Sequence, residues 1–128
     1  NKFIIKKQID KKDLDNFIKT IDGLFISLSS GISLSKTIPG KFSYYLSKGL
    51  PIFSVSDGIT NNLIQNKNLG LTSPSANYDT LLKNFNNFIS LKYSDRILIS
   101  NNCKKLYFEH FEFKNNVRKL KLILDNYI

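Results

Sequence analysis

Three observations predict an α/β fold, a Rossmann-like parallel sheet with helices on both faces. Short, almost continuously apolar runs such as "GLFISLS" and "LPIFSVS" are typical of strands that are buried on both sides. Segments with helical apolar spacing separate these runs, so strands and helices alternate along the chain. Capping residues such as Asp10 and Gly49 stand where the pattern changes. The sequence therefore predicts a β-α-β-α-β-α-β order that closes with two or three C-terminal helices.

Four strands are expected from apolar, β-branched and aromatic content. They cover residues 2–9, 23–29, 50–56 and 69–73. Pro51 stands at the entry to the third strand, where no ladder hydrogen bond is lost. The segment "SGISLSKT" between the second strand and the next helix is small and polar, so we expect a loop there.

Helices are expected where apolar residues recur at helical spacing. The first follows Asp10, the second runs from Pro39 to Gly49, and a short third one begins at Asp57 or Thr60. Beyond the last strand, three further stripes predict three helices, which begin soon after Pro74 and near residues 94 and 113.

Composition restricts the class of protein. The chain has 128 residues, of which 41% are hydrophobic, and we expect one domain. It contains no methionine, so we expect a fragment of a longer chain. Its single cysteine, Cys103, excludes an intramolecular disulfide, lies in a helical pattern and is expected to be buried. No signal peptide or membrane-length apolar run is evident, and we expect a cytoplasmic location.

The net charge of +9 suggests an acidic partner. However, only two of the basic residues are arginines, and the lysines are spread over the whole chain. Solvated lysines without a single partner are the favoured interpretation, and a general attraction to acidic membrane surfaces stays open. Nucleic-acid binding rests on net charge alone, and we do not expect it.

The loop that leads into the second helix is the best candidate site. In open parallel sheets, ligands bind beyond the carboxyl ends of the strands, and a helix N-terminus there attracts phosphate. Gly40 would allow close approach to the backbone, and Lys36 and Lys41 bracket the turn with ammonium groups. The alternative is that Pro39 and Gly40 merely start a helix and both lysines are solvated.

Other motifs do not indicate a catalytic site. Asp13 and Asp15 resemble an Asp-x-Asp metal motif, but both fall in the first turns of a helix and point to different sides. His110, the only histidine, stands between Glu109 and Glu112 at a break between helices. No further His or Cys lies nearby in sequence to complete a ligand set, so no metal is expected.

The segments "IPGKFSYYLSKGLPIFSVSDG" and "LIQNKNLGLTSP" resemble the C-terminal, nucleotide-sugar-binding domain of GT-B glycosyltransferases. The nearest type is the large retaining family (glycosyltransferase family 4-like, group 1) that includes bacterial polysaccharide and lipopolysaccharide transferases. The positions that match its pattern are Pro39, Lys41, Tyr45, Gly49, Pro51 and Gly70. The resemblance extends over essentially the whole chain.

Three positions depart from the family pattern. Gly40 replaces the serine that follows the proline, and Tyr44 replaces the glutamate that bonds the nucleotide ribose. Lys36 falls where the partner glutamate would be. The basic pair at the start of such domains, and the whole acceptor-binding domain, would precede residue 1.

The resemblance implies a donor-binding function. A nucleotide-diphosphate sugar would be bound without a metal, and its sugar would pass to a glycan or lipid-linked acceptor in surface polysaccharide synthesis. The residues implied are Gln8 and Ile9 facing the base, Ser35, Lys36, Thr37, Ile38, Pro39, Gly40 and Lys41 around the diphosphate, and Tyr44 near the ribose. Catalytic residues are not identified. Such a protein would act at the inner face of the cell membrane, and the fragment alone would be inactive without its N-terminal domain.

A second interpretation is a non-catalytic α/β interaction module or a degenerate transferase remnant. Tyr44 and Lys36 at the glutamate positions favour it.

Overall fold

A computed structural model describes residues 4–127 of the chain. Its core is a three-stranded parallel sheet whose strands lie side by side in the order in which they follow one another along the chain. The elements follow the chain as α1 (Lys11–Ile18), β1 (Leu24–Ser27), α2 (Ile32–Ser35), α3 (Gly40–Lys48), β2 (Ile52–Val55), α4 (Ile59–Asn66), β3 (Gly70–Ser73), α5 (Tyr78–Ile89), α6 (Tyr93–Leu106), a π-helical segment (Tyr107–Phe111) and α7 (Phe113–Asp125). The α/β class, the parallel sheet and the three closing helices agree with the prediction.

The central strand β2 is buried along its whole length, as its uninterrupted apolar run predicts. It pairs with β1 from Leu24↔Ile52 onwards and with β3 from Ile52↔Gly70 onwards. At Gly70, whose φ is 151°, an added Cβ would lie 1.9 Å from the carbonyl oxygen of Ile52. Glycine is therefore required at this point, where β3 approaches the backbone of β2.

One face of the sheet is covered by α3, α4 and α6, and we call it the closed face. It contains the continuous hydrophobic core of Ile26, Phe42, Leu46, Ile52, Ile64, Leu69, Ile99, Cys103 and Leu106. Most of these side chains have no exposed surface, so the cluster excludes water almost completely.

The opposite face is covered by α5, and we call it the aromatic face. The Phe53 ring packs against Phe85 and Phe88, both at 5.4 Å between centroids, and stacks on Phe25 at 6.1 Å. Phe25 keeps 51% of its surface exposed, because β1 is an edge strand and α5 lies over the other two strands, β2 and β3. Helices therefore lie on both faces, but they cover only one of them fully.

The strand expected at residues 2–9 is wrong over the part that the structure describes, residues 4–9, which are neither strand nor helix. Lys2 and Phe3 lie outside the described residues. Ile5 is 86% exposed, and β-branched residues form a strand only where a partner strand and a buried face are present. The segment instead approaches α1, where the Lys6 ammonium lies 4.7 Å from the centre of the Phe17 ring.

Two smaller differences concern helices. The loop expected at "SGISLSKT" contains the one-turn helix α2. The helix expected over residues 94–109 is α-helical to Leu106 and then widens into the π-helical segment. Between residues 4 and 127, no helix combines the length and the apolarity that crossing a bilayer demands.

Helix α3 begins and ends where its capping residues predict. Pro39 is the extended N-cap residue, and Gly49 ends the helix in the left-handed conformation at φ 65°. Its amide donates to the Leu46 carbonyl at 3.1 Å. An added Cβ at Gly49 would also come within 2.6 Å of the Lys104 side chain, so α6 packs closely against this turn.

Candidate functional site

The carboxyl ends of the three strands meet at one edge of the sheet, because all three run in parallel. The segments that leave this edge are residues 28–39, 56–58 and 74–77. The first of them leads through α2 to the N-terminus of α3. This edge is where open α/β sheets bind ligands.

The turn before α3 is open to solvent. Lys36, Thr37, Gly40 and Lys41 are all exposed, and Ser35 and Pro39 are partly buried. Pro39, the N-cap residue of α3, has no side chain that could accept a capping hydrogen bond. A Cβ added at Gly40 would meet nothing within 4 Å, so the space beside this residue is open. The free backbone amides of the first helical turn are directed out of this end of the helix. Lys36 and Lys41 precede and follow the start of the helix, and the Lys41 ammonium lies 6.0 Å from the centre of the Tyr45 ring.

The loop after β2 fixes the position of this turn. A Cβ added at Gly58, whose φ is 86°, would lie 2.1 Å from the Ser35 carbonyl oxygen, so the two backbones are in close contact. Next to it, the Thr60 hydroxyl donates to the Thr37 carbonyl at 2.9 Å. The start of α4 therefore fixes one side of the turn, while the other side stays exposed to solvent.

A buried polar network lies beneath this contact, and sequence reasoning missed it. The Ser56 hydroxyl donates to Asn61 Oδ1 at 2.7 Å and lies 2.9 Å from the Ser54 hydroxyl. The Asn61 amide donates to the carbonyls of Ser56 and Ser73, which joins the ends of β2 and β3. The signal available in the sequence is the serine pair in an otherwise apolar strand, because buried hydroxyls require partners.

The side chain of Asp57 links the loop after β2 to the loop after β3. Its carboxylate accepts hydrogen bonds from the Ser75 amide at 3.2 Å and from the Ser75 hydroxyl. All three loops at the carboxyl edge are thus tied to one another by side chains of the Ser56–Asn61 region and by the Gly58 contact. A rigidly connected edge is the support that a ligand-binding turn needs.

Tyr44 lies one turn into α3 and contacts α1. Its hydroxyl donates to Asp15 Oδ1 at 3.0 Å, and the Lys48 ammonium donates to the same oxygen at 2.7 Å. These two hydrogen bonds, that of Lys48 first, lower the pKa of Asp15. Desolvation and then the bond to Asp15 raise the pKa of Tyr44. The tyrosine therefore stays neutral at pH 7 and connects α3 to α1.

Gln8 and Ile9 precede α1 in the irregular segment. Gln8 is exposed and Ile9 is partly buried. No strand ends at Ile9, so these two residues are not brought to the carboxyl edge of the sheet. Residues 35–41, in contrast, form the continuous connection there between the end of α2 and the start of α3.

The acidic motifs have structural partners. Asp15 is bonded to α3, and Glu112 caps α7 by accepting from the Asn115 amide at 2.6 Å. His110 Nε2 lies 3.9 Å from a Glu109 carboxylate oxygen, and both side chains are exposed. Within residues 4–127, no three His, Cys, Asp or Glu side chains are grouped closely enough to hold a metal ion.

A separate cavity of about 290 Å³ opens at the amino-terminal edge of the aromatic face. Phe25, Phe53 and Phe88 line it, and Arg96 lies beside them. The Arg96 guanidinium already donates to the carbonyls of Asp22, Ile89 and Leu91 and pairs with the Asp22 carboxylate at 3.3 Å. The guanidinium is therefore already bonded within the protein, and the described residues that line the cavity include no other basic side chain for a phosphate.

Cys103 is fully buried in the closed face, as the sequence predicts. Burial raises the pKa of its thiol to about 12, which makes it unreactive at neutral pH.

Comparison of the chain with family models, with curated proteins and with solved structures finds no match.

Proposed function

We propose that the chain is the donor-binding part of a GT-B glycosyltransferase, and that it binds the diphosphate of a nucleotide sugar at the turn between α2 and α3. The proposal rests on the resemblance around "IPGKFSYYLSKGLPIFSVSDG". The wider function follows from that likeness: transfer of a sugar to a glycan or lipid-linked acceptor, at the cytoplasmic face of a bacterial membrane, together with an N-terminal acceptor domain.

One observation carries the proposal. An uncapped helix N-terminus stands at the carboxyl edge of a parallel sheet, with open space at Gly40 and exposed ammonium groups at Lys36 and Lys41. The helix amides carry a partial positive charge, and the two lysines add full charges. Together they match the negative charge and the acceptor oxygens of a diphosphate.

The same groups would promote the chemical step. When the bond between the sugar C1 and the diphosphate oxygen breaks, the electron pair goes to that oxygen, where negative charge develops. Amides and ammonium groups that are already in place stabilise this charge without reorganisation. The acceptor hydroxyl and any base would come from outside the described residues.

Tyr44 would meet the ribose through its remaining hydrogen-bonding capacity. Its hydroxyl donates its hydrogen bond to Asp15, but the phenolic oxygen can still accept a hydrogen bond from a ribose hydroxyl. Ser35, Thr37 and Ile38 would shape the turn around the phosphates. The base contact that the resemblance implies for Gln8 and Ile9 is not part of the proposal, because no strand brings these two residues to the carboxyl edge.

The test is a titration of the isotope-labelled chain with uridine, guanosine and adenosine diphosphates, followed by amide chemical shifts. We expect the largest changes between residues 35 and 44. Replacing Lys36 or Lys41 by alanine should weaken binding about tenfold each, because each would remove a charge-assisted contact. Lys67→Ala is the matched control, since Lys67 is an exposed lysine that ends α4 at the other edge of the sheet.

Gly40→Leu tests the position of the ligand directly. The new side chain would begin at a point where an added Cβ meets no described atom within 4 Å, so the fold should be retained while the diphosphate is excluded. Unchanged binding in this variant, or equal losses in Lys36→Ala and Lys67→Ala, would refute the proposed site.

The second candidate function is a non-catalytic interaction module. The observation in its favour is that Tyr44, at the position of the ribose-binding glutamate, bonds to α1 of the same chain. This function predicts no shift changes between residues 35 and 44 with any of the three diphosphates.

A further inference from the structure

Helix α7 lies apart from the rest of the molecule. It contacts mainly the π-helical segment that precedes it, and none of its residues is buried. Its stripe of apolar side chains is therefore exposed, although such a stripe in a globular protein normally packs against a core. The stripe consists of Phe113, Val117, Leu120 and Leu124, each about half exposed or more.

Basic side chains border this stripe on one side and continue around the polar face of the helix. At about 100° of rotation per residue, Lys114 and Lys121 fall along one margin of the stripe. Lys119 lies on the polar face, where its ammonium donates to the Glu109 carbonyl. Arg118 lies on the opposite, polar side of the helix. All four basic residues are exposed, and Asp125 is the helix's one acidic residue. The helix thus combines an apolar stripe with one cationic margin and a basic polar face.

We propose that α7 lies in the surface of an anionic lipid bilayer, with its apolar stripe among the acyl chains and its lysines at the headgroups. Interfacial helices have this arrangement, because lysine stems follow the apolar surface while their ammonium groups reach the headgroups. Each lysine near the surface gains from the negative potential of the membrane. This inference is independent of nucleotide binding.

The charges favour lipid over a second copy of the chain. If two α7 helices paired antiparallel through their stripes, their lysine margins would face each other and repel. Protein interfaces are also depleted in lysine, whereas Lys114 and Lys121 border this stripe. An anionic headgroup layer is the surface that satisfies both the apolar and the cationic residues.

The experiment is cosedimentation of the chain with vesicles of phosphatidylcholine alone or mixed equally with phosphatidylserine. We expect binding to the mixed vesicles that falls as salt is added, and much weaker binding to the neutral ones. Leu120→Ser and Leu124→Ser should each weaken binding about tenfold, because each removes a leucine from the acyl region.

Leu122→Ser is the matched control for the stripe. Leu122 is 59% exposed, close to the 56% of Leu120, but it lies on the opposite side of the same helix. The control carries the same loss of helix propensity, so it should leave binding nearly unchanged. Circular dichroism of each variant would show that the helical content is retained.

A second pair of variants separates α7 from the general positive charge of the chain. The double change Lys114→Gln and Lys121→Gln should reduce binding strongly. The double change Lys11→Gln and Lys12→Gln, in exposed positions of α1, should have little effect.

Equal effects of the two glutamine pairs, or of the three leucine variants, would overturn the inference. So would equal binding to neutral vesicles, or a concentration-dependent dimer that Leu120→Ser dissociates. Binding to duplex DNA in preference to the mixed vesicles would also contradict it, since an apolar stripe contributes nothing to phosphate contacts.

Discussion

The two faces of the sheet use the same three strands but reach different degrees of closure. On the closed face, Ile26 and Ile52 meet α3, α4 and α6 in a core with almost no exposed surface. On the aromatic face, Phe53 is buried while its neighbour Phe25 is half exposed, and a cavity remains between them and α5. The closed face positions the candidate site, because α3 and α4 both pack there.

An apolar run in the sequence therefore predicts a strand but not the elements that cover it. In "LFIS", Phe25 and Ile26 are neighbours in sequence and equally apolar, yet one is exposed and the other has no exposed surface. Alternate residues of a strand point to opposite faces, so their burial depends on which helices return to each face. That choice is made by contacts distant in sequence.

Removing a large side chain from the closed face should have the largest effect. Phe42 has no exposed surface and also meets Phe111 at 6.1 Å between ring centroids. Phe42→Ala should lower the free energy of unfolding by about 3–5 kcal/mol, which urea denaturation would measure. Phe25→Ala on the aromatic face is the control and should cost only about 1 kcal/mol, since much of that ring is already in water. Similar losses in both variants would mean that the two faces contribute equally.

The thiol of Cys103 reports on closure without a mutation. A rise in the pKa from 9.0 to about 12 lowers the thiolate fraction near neutral pH about a thousandfold, because each pKa unit is a factor of ten. We expect iodoacetamide to label the native chain at least that much more slowly than the urea-unfolded chain. Fast labelling in native buffer would show that the closed face opens readily.

The sequence predicts the regular elements of this fold because their signals are local. Pro39 and Gly49 mark the ends of α3, and apolar spacing finds α5, α6 and α7. The prediction is wrong for residues 4–9, since a strand is stabilised by a neighbour that local composition cannot reveal. It also cannot tell a packed amphipathic helix from an unpacked one: α3 and α7 have similar patterns, but only α3 is buried.

The candidate site is predictable only in part, for the same reason. The turn at Ser35 to Lys41 follows from the order of the elements and from Pro39. The contacts that hold it, Gly58 against Ser35 and Thr60 to Thr37, join residues 23 positions apart. The bond from Tyr44 to Asp15 spans 29 positions and leaves no trace in a local pattern. Sequence periodicity identifies the turn, whereas long-range packing decides what supports it.

The smallest expected effect concerns the exposed polar contact between α1 and the closed-face helix α3. Lys48, and then Tyr44, hold the pKa of Asp15 below its ordinary value of 3.8, so this carboxylate stabilises the fold above that pH. The contribution is lost as the pH falls through the lowered pKa of the folded state. Asp15→Asn should therefore flatten the dependence of stability on pH below about 4. Near pH 7 it should change the free energy of unfolding only slightly, because the ion pair is largely in water.

The contribution of Lys48 depends on pH in the opposite direction. Asp15 raises the pKa of Lys48, so the stabilisation by this lysine is present below 10.5 and is lost at more alkaline pH. Urea titrations of the wild type and of Asp15→Asn from acidic to alkaline pH would measure the stability changes due to both groups. A large decrease in the free energy of unfolding of the variant at pH 7 would show that polar contacts of α1, and not the apolar core alone, hold the closed face together.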